Sequence, residues 1–387
     1  MTELSRPPLK LFDPLHVPTV TLMGSGPTNC SPRVMAALTH QMSSPVSPKL
    51  LAIMSDIRSG LQYVMQTVNA CTMAVSGAGH AAMECALTSL IEPGDVVLVT
   101  VHGIWGERAS DIATRQGGIV KTLNKEIGEV FSLSDLEEGL KEHKPRVMFV
   151  THAESSGGTL QPLKDIGPLC HRYGCLLVVD AVASLGAVPL FTDAWEIDVL
   201  YSASQKVLSA PSGISPITFS RRAWKKVEQR KTRIRSFYLD ATLLAHYWGV
   251  EQPLQYHHTG LPVNLYGMRE ALAEICEEGL QAIWERHQVN SELLWTGLEN
   301  LGLKFLVPDK EYRLGTITAV ILPSDVDSQA VIAYVKAKHN LEISPGLGPS
   351  KGKIWRIGLM GYNCKLHNVH LALKALKDAF DNIPKQE

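Results

Sequence analysis

The chain has 387 residues, 45% of them hydrophobic and 19% charged, with 37 Lys and Arg against 38 Asp and Glu. That length allows two domains with sizeable cores. The charge balance lacks the basic excess of a nucleic-acid binder, and the most apolar stretches, 96–101 and 175–190, are too short or too interrupted for a membrane span of roughly 20 apolar residues, so neither partner is expected.

Residues 1–20 carry four prolines and little periodicity, which reads as an arm lying over a surface. An apolar run at 72–76 is broken by Gly77-Ala78-Gly79, after which Met83, Leu87, Leu90 and Ile91 recur at helical spacing. This is a strand, a glycine turn and a helix. Runs at 96–101, 147–151, 176–181 and 199–202 read as further strands, with helices at 133–143 and 163–173 between them. Continuous apolar strands separated by helices imply a buried, mainly parallel sheet, hence a large α/β domain over 21–275. Residues 268–294 form one long helix or two. Then 316–322 alternates as a strand, Asp327 or Ser328 caps a helix at 330–338, 354–359 is a strand, and Val369, Leu373, Leu376 and Phe380 stripe a last helix. The tail is a smaller α+β domain over 276–387.

Seven cysteines without paired spacing fit a reducing compartment. Cys170-His171 with Cys175 lacks a second ligand pair, and neighbouring His257 and His258 seldom point the same way, so no metal is expected. Neither a secretory signal nor a carboxyl-terminal peroxisomal tripeptide is visible.

Three features carry chemistry. Gly77-Ala78-Gly79-His80, between strand and helix, exposes backbone N–H groups at a positive helix end; it is a phosphate cradle or a plain turn. It is not the G-x-G-x-x-G of a dinucleotide fold. Asp180 ends the run "LLVVD", where an open parallel sheet binds ligands, or it simply caps a turn. Lys206 in "YSASQKVLSAPSG" follows the next strand, as a second group at the same crevice or as a solvated surface lysine. A crevice amine can form a Schiff base with an aldehyde cofactor, and a carboxylate under a pyridine nitrogen keeps that ring electron-withdrawing. With a phosphate cradle, these are the requirements of pyridoxal 5'-phosphate.

The segments "GSGPTN" (24–29), "SGAGHAAMECAL" (76–87), "HGIWGERA" (102–109), "THAESSGGTLQP" (151–162), "CLLVVDAVASLGAVPL" (175–190), "YSASQKVLSAPSG" (201–213), "YHHT" (256–259) and "GLGPSKGKIWRIGLMG" (346–361) resemble those of alanine–glyoxylate and serine–pyruvate aminotransferases. These are class V, fold-type I pyridoxal-phosphate enzymes. The resemblance runs in order from about residue 5 to 380.

The resemblance implies Lys206 as the Schiff-base lysine and proton carrier, Asp180 as the partner of the pyridine nitrogen, and Trp105 as the residue stacked on the ring. It implies Ser155 and Gln205 near the ring hydroxyl and phosphate, Ala78, Gly79 and His80 in the cradle, and Tyr256 and Thr259 reaching the cofactor of a neighbouring subunit. A homodimer follows, with the arm over the partner. Arg356 resembles the two-pronged grip on the substrate carboxylate, with Ser25, Gly26, Asn29 and Ser155 closing the pocket. Ala78 stands where relatives often have serine, Gly157 where threonine is frequent, and Ser212 and Ser25 where proline is usual. Losing one hydroxyl contact costs ~1 kcal/mol of cofactor binding.

The implied reaction moves the amino group of L-alanine or L-serine to glyoxylate by a ping-pong cycle, giving pyruvate or hydroxypyruvate and glycine and so detoxifying glyoxylate. A 3-hydroxykynurenine transaminase of the same family is the alternative. A lyase such as a cysteine desulfurase is a weaker one, because 344–354 contains no cysteine for its mobile thiol. Relatives imply a peroxisomal location, with cytoplasm or mitochondrion as alternatives.

Overall fold

The computed structural model describes residues 4–250 and 254–384. Among them, the central sheet is built in chain order from β1 (Cys71–Ser76), β2 (Val96–Val101), β3 (Ile119–Asn124), β4 (Val147–Thr151), β5 (Leu176–Asp180), β6 (Val199–Tyr201) and β7 (Ile214–Phe219). Across the sheet the order is β1-β7-β6-β5-β4-β2-β3. Only β7 runs against its neighbours, so the carboxyl ends of the other six share one edge. Strands β4 and β5 are buried at every position, because helices cover both faces of the sheet.

Two strands escape a reading by apolar runs. The β7 segment ISPITF is fully buried although three of its six residues are Ser, Pro and Thr. Its polar groups are satisfied inside the sheet: Thr218 Oγ1 lies 2.8 Å from Thr72 Oγ1, and Ser215 Oγ donates to the Gly77 carbonyl at 2.9 Å. The β3 segment is an edge strand paired to β2 alone, with Lys121, Thr122 and Asn124 exposed. The helix Leu133–His143 stands where expected, started by a capping box between Ser132 and Asp135. The long helical stretch is two helices, Pro262–Glu278 and Leu280–Asn300, parted at Gly279, whose φ of +83° suits glycine.

The last third holds an antiparallel sheet of β8 (Ile317–Ile321), β9 (Ser344–Pro345) and β10 (Ile354–Gly358) in the order β8-β10-β9. The helix Ser328–His339 is capped by Asp327, whose Oδ1 accepts from the Gln329 and Ala330 N–H groups at 2.9 and 3.0 Å. The helix Leu366–Asn382 closes the unit. Buried apolar side chains form one large cluster from Val34 to Ile283 and a second that includes Leu294, Val320, Trp355 and Leu376. Met23 belongs to the second, and Thr21–Leu22 pairs in parallel with Leu341–Glu342, so the start of the chain packs against its last third. Before it, Leu4, Leu9, Leu11, Phe12, Leu15 and Val17 are exposed. No helix among the described residues is long and apolar enough to cross a membrane.

Candidate active site

The sheet edge shared by six strand ends opens onto a cavity of about 180 Å³. Its lining includes Ala78, Gly79, His80, Trp105, Ser155, Asp180, Gln205 and Lys206, together with Tyr201. The residues singled out at the ends of β1, β5 and β6 therefore meet in space.

The helix Gly79–Leu90 starts at Ala78, which offers no side-chain cap. The N–H groups of Gly79 and His80 have no hydrogen-bond partner among the described residues, so they remain available to an anion at the positive helix end. A Cβ on Gly79 would come within 3.3 Å of Ala203 Cβ and 3.4 Å of Val182 Cγ2, which keeps the cradle narrow. The His80 ring packs edge-on to Trp105 with centroids 5.5 Å apart. Burial and the nearby Arg108 hold His80 below the ordinary histidine range, so it is neutral at pH 7.

Asp180 is buried at the end of β5. Its Oδ1 accepts from the Val182 N–H at 2.9 Å, and its Oδ2 accepts from the Tyr201 hydroxyl at 2.7 Å. Burial pushes its carboxyl up to about 6 despite these two bonds. Tyr201 went unnoticed in the sequence. Its signal was the sheet register, because Asp180 and Tyr201 are direct cross-strand partners in β5 and β6.

Lys206 Nζ donates to the Ser25 carbonyl. Burial first, and then the positive charge of Arg356, pull its pKa down to about 8, giving a small neutral fraction at pH 7. A Cβ on Gly26, whose φ is +97°, would fall on the Lys206 side chain, so this glycine lets the 24–27 turn close over the amine. Asn29 acts further back: its Oδ1 accepts from the Leu22 N–H at 2.9 Å and from Asn363 Nδ2 at 2.7 Å.

Trp105 Nε1 donates to Ser155 Oγ at 2.8 Å. Arg356 is buried on β10 and is not among the residues lining the cavity, but its Nη1 donates to the carbonyl of Ser155, which is, at 3.2 Å. Its Nε donates to the Pro345 carbonyl at 2.9 Å, and burial draws its pKa down to about 10, which leaves it charged at neutral pH. Glu154, beside Ser155, is buried and was also missed in the sequence. Tyr256 and Thr259 lie outside the cavity of their own chain, bonded to each other at 3.0 Å, with Tyr256 58% exposed.

Two departures acquire a structural setting. A side chain at Gly157 would bring its Cβ within 2.7 Å of Ile127 Cγ1, so a threonine there needs Ile127 to move. Ser212 lends its carbonyl to Asn264 Nδ2 at 2.8 Å, a bond that a proline could also accept.

The residues fit a phosphorylated pyridine aldehyde. Gln205 Oε1 is buried without a partner, two cradle N–H groups are unpaired, and amine and carboxylate face one cavity.

Comparison with known proteins places the chain among aminotransferases. The alanine–glyoxylate aminotransferase of Callithrix jacchus is 48% identical over 385 residues, covering 99% of this chain and 93% of that protein. The enzyme of the same name from Rattus norvegicus is 49% identical over 382 residues, covering 98% and 92%. Among solved structures, the alanine–glyoxylate aminotransferase of Nostoc sp. superposes with a TM-score of 0.93 at 46% identity, over 95% of this chain and 97% of that one. The aminotransferase class-V family profile matches residues 22–366, and the chain belongs to that family of fold-type I, pyridoxal-phosphate-dependent transferases.

Proposed function

We propose that the chain transfers the amino group of L-alanine, or of L-serine, to glyoxylate, with pyridoxal 5'-phosphate held in the cavity described above. The observation that carries this reading is that Lys206 and Asp180 line one cavity while Arg356 is bonded to the carbonyl of Ser155 in its wall. An α-amino acid needs both the amine and the guanidinium, one to work at its α-carbon and one to grip its carboxylate. The choice of alanine and glyoxylate rests on the relatives of that name.

The bound cofactor supplies an aldehyde that takes up the donor nitrogen and a ring that holds the electrons left at the α-carbon. The N–H groups of Gly79 and His80 would hold its phosphate, and Gln205 in the same cavity carries a buried carbonyl oxygen open to a donor. Asp180, held by Tyr201 and Val182, would keep the ring nitrogen protonated. The Trp105 ring, fixed by Ser155, would stack on the cofactor ring. Lys206 Nζ in its neutral form would take the α-proton and return it as the ammonium. Arg356, with Ser25 and Gly26 closing above, orients the donor so that this proton faces the amine.

The working unit is a homodimer in which Tyr256 and Thr259 reach the partner's phosphate site and the arm, called as 1–20 and described from residue 4, lies over the partner. Their exposure, and that of the arm's apolar side chains, supports this. Asn29 supports the pocket by tying the 24–29 turn to Asn363. We divide the remainder into a cofactor domain at 21–275 and a small domain at 276–387, of which 385–387 lie outside the described residues; the helix break at Gly279 falls near that boundary, although Met23 packs with the second buried cluster and Ile283 with the first. A peroxisomal location rests on the resemblance alone, and imaging of an internally tagged chain tests it.

The central experiment is the half-reaction. Alanine added to the purified protein bleaches the visible cofactor band with release of pyruvate, and glyoxylate restores the band with formation of glycine. Lys206→Ala retains cofactor but loses turnover by about 10²-fold or more, the range of a positioned proton carrier. Absence of glycine in the wild-type reaction sinks the proposal, and preference for 3-hydroxykynurenine over alanine overturns its choice of donor.

A further inference from the structure

We propose that Glu154 is a positioning residue that holds Trp105 and Arg356 at a fixed spacing across the site, so that the stacked ring and the donor carboxylate are presented to Lys206 together. The inference rests on the transaminase reading above.

The helix Ile104–Arg115 carries Trp105 and begins at Gly103, which has no side chain with which to cap it. Ser, Thr, Asp or Asn ordinarily fills that place. Here Glu154 reaches in from another segment. Its Oε2 accepts from the Trp105 N–H at 3.3 Å, and its Oε1 accepts from the Ser156 N–H at 3.0 Å and from Ser156 Oγ at 2.6 Å. Ser156 Oγ in turn accepts from the Ile104 N–H at 3.3 Å. A Cβ on Gly103 would fall on the Glu154 carboxyl carbon, so the carboxylate occupies the space of the missing cap. The Gly103 φ of 168° is ordinary extended backbone, which leaves this space as the reason for glycine.

The next two residues, Ser155 and Ser156, make three further bonds. Ser155 Oγ accepts from Trp105 Nε1 at 2.8 Å, the Ser155 carbonyl accepts from Arg356 Nη1 at 3.2 Å, and the Ser156 carbonyl accepts from Ser350 Oγ at 2.7 Å. Trp105 is thus held through both its backbone and its ring nitrogen. Two backbone N–H donors and the Ser156 hydroxyl converge on the Glu154 carboxyl, a geometry that suits an ionised carboxylate. Burial works against that charge and pushes the carboxyl up to about 7, while its charge favours the charged form of Arg356.

Two variants test the proposal. Glu154→Gln keeps an acceptor for Ser156 but brings an amide NH₂ to the Trp105 N–H. The pair Gly103→Ser with Glu154→Ala supplies an ordinary helix cap without the carboxylate. Cofactor content, visible circular dichroism per bound cofactor, melting temperature, kcat and KM for alanine are measured for both. The expected result is full cofactor content with altered dichroism and a KM raised about tenfold, the scale of one lost charge-assisted bond. The double variant regains the wild-type melting temperature and keeps the altered dichroism and KM. Wild-type dichroism and KM in Glu154→Gln overturn the proposal, as does full rescue by the double variant, which would make Glu154 only a helix cap. If Glu154→Gln does not fold, the double variant decides alone by the same two readings. If the wild type makes no glycine, the transaminase reading fails, and the dichroism still reports whether Glu154 orients the ring.

Discussion

Asp180 commits both carboxylate oxygens to its own chain, one to the Val182 N–H and one to the Tyr201 hydroxyl. The Tyr201 bond favours the charged form, so its removal raises the Asp180 pKa above its value of about 6. Tyr201→Phe is therefore expected to shift the acid limb of the kcat/KM profile to higher pH, which a pH–rate series checks; an unmoved limb refutes the assignment. Lys206 and Asp180 could be picked out of the sequence because each follows an apolar strand, and strand ends of a parallel sheet meet at one mouth. Tyr201 and Glu154 could not. Tyr201 depends on the pairing of β5 with β6, and Glu154 on a helix start some fifty residues earlier, facts of register and packing that no local pattern carries.

The helix Gly79–Leu90 begins without a side-chain cap, since Ala78 has no oxygen to offer. Ala78→Ser adds one hydroxyl at the cradle, so we expect several-fold tighter cofactor binding, of the order of ~1 kcal/mol, read from titration of cofactor-free protein. The helix Ile166–Arg172 makes a different kind of contact through His171, whose Nε2 lies 2.9 Å from Asp198 Oδ2 and whose Nδ1 lies 2.7 Å from Glu196 Oε2. The Asp198 hydrogen bond raises its pKa above the ordinary 6.5. The folded state thus binds the proton more tightly than the unfolded chain, and this stabilisation is full below 6.5 and fades as pH rises through the folded value. Denaturant midpoints are expected to fall with rising pH above 6.5 in the wild type and to fall less in His171→Gln. Equal slopes would refute it. Strands β3 and β7 show where element reading stops. An edge strand needs little apolar character, and a central strand can carry Ser and Thr once its neighbours satisfy them.

For the whole molecule, the proposed dimer makes each site depend on two chains. A Tyr256→Phe chain and a Lys206→Ala chain, refolded together, should form a hybrid with one complete site: the lysine from the first chain and the tyrosine from the second. Activity of the mixture above that of either parent supports this, and its absence counts against the shared site. The sequence by itself determined the α/β class and the family, because apolar runs, glycine turns and ordered motifs are local properties that survive without coordinates. It also put forward one lysine and one aspartate for the same crevice, and both line the cavity. Only the tertiary structure decided how they are tuned. Burial and charge at Lys206, the Tyr201 bond to Asp180, the Glu154 bond to the Trp105 helix and the bond of neighbouring Ser155 to Arg356 all arise between segments apart in the chain. The physical reason is that pKa shifts and side-chain orientation depend on desolvation and on contacts in space, and sequence spacing encodes neither.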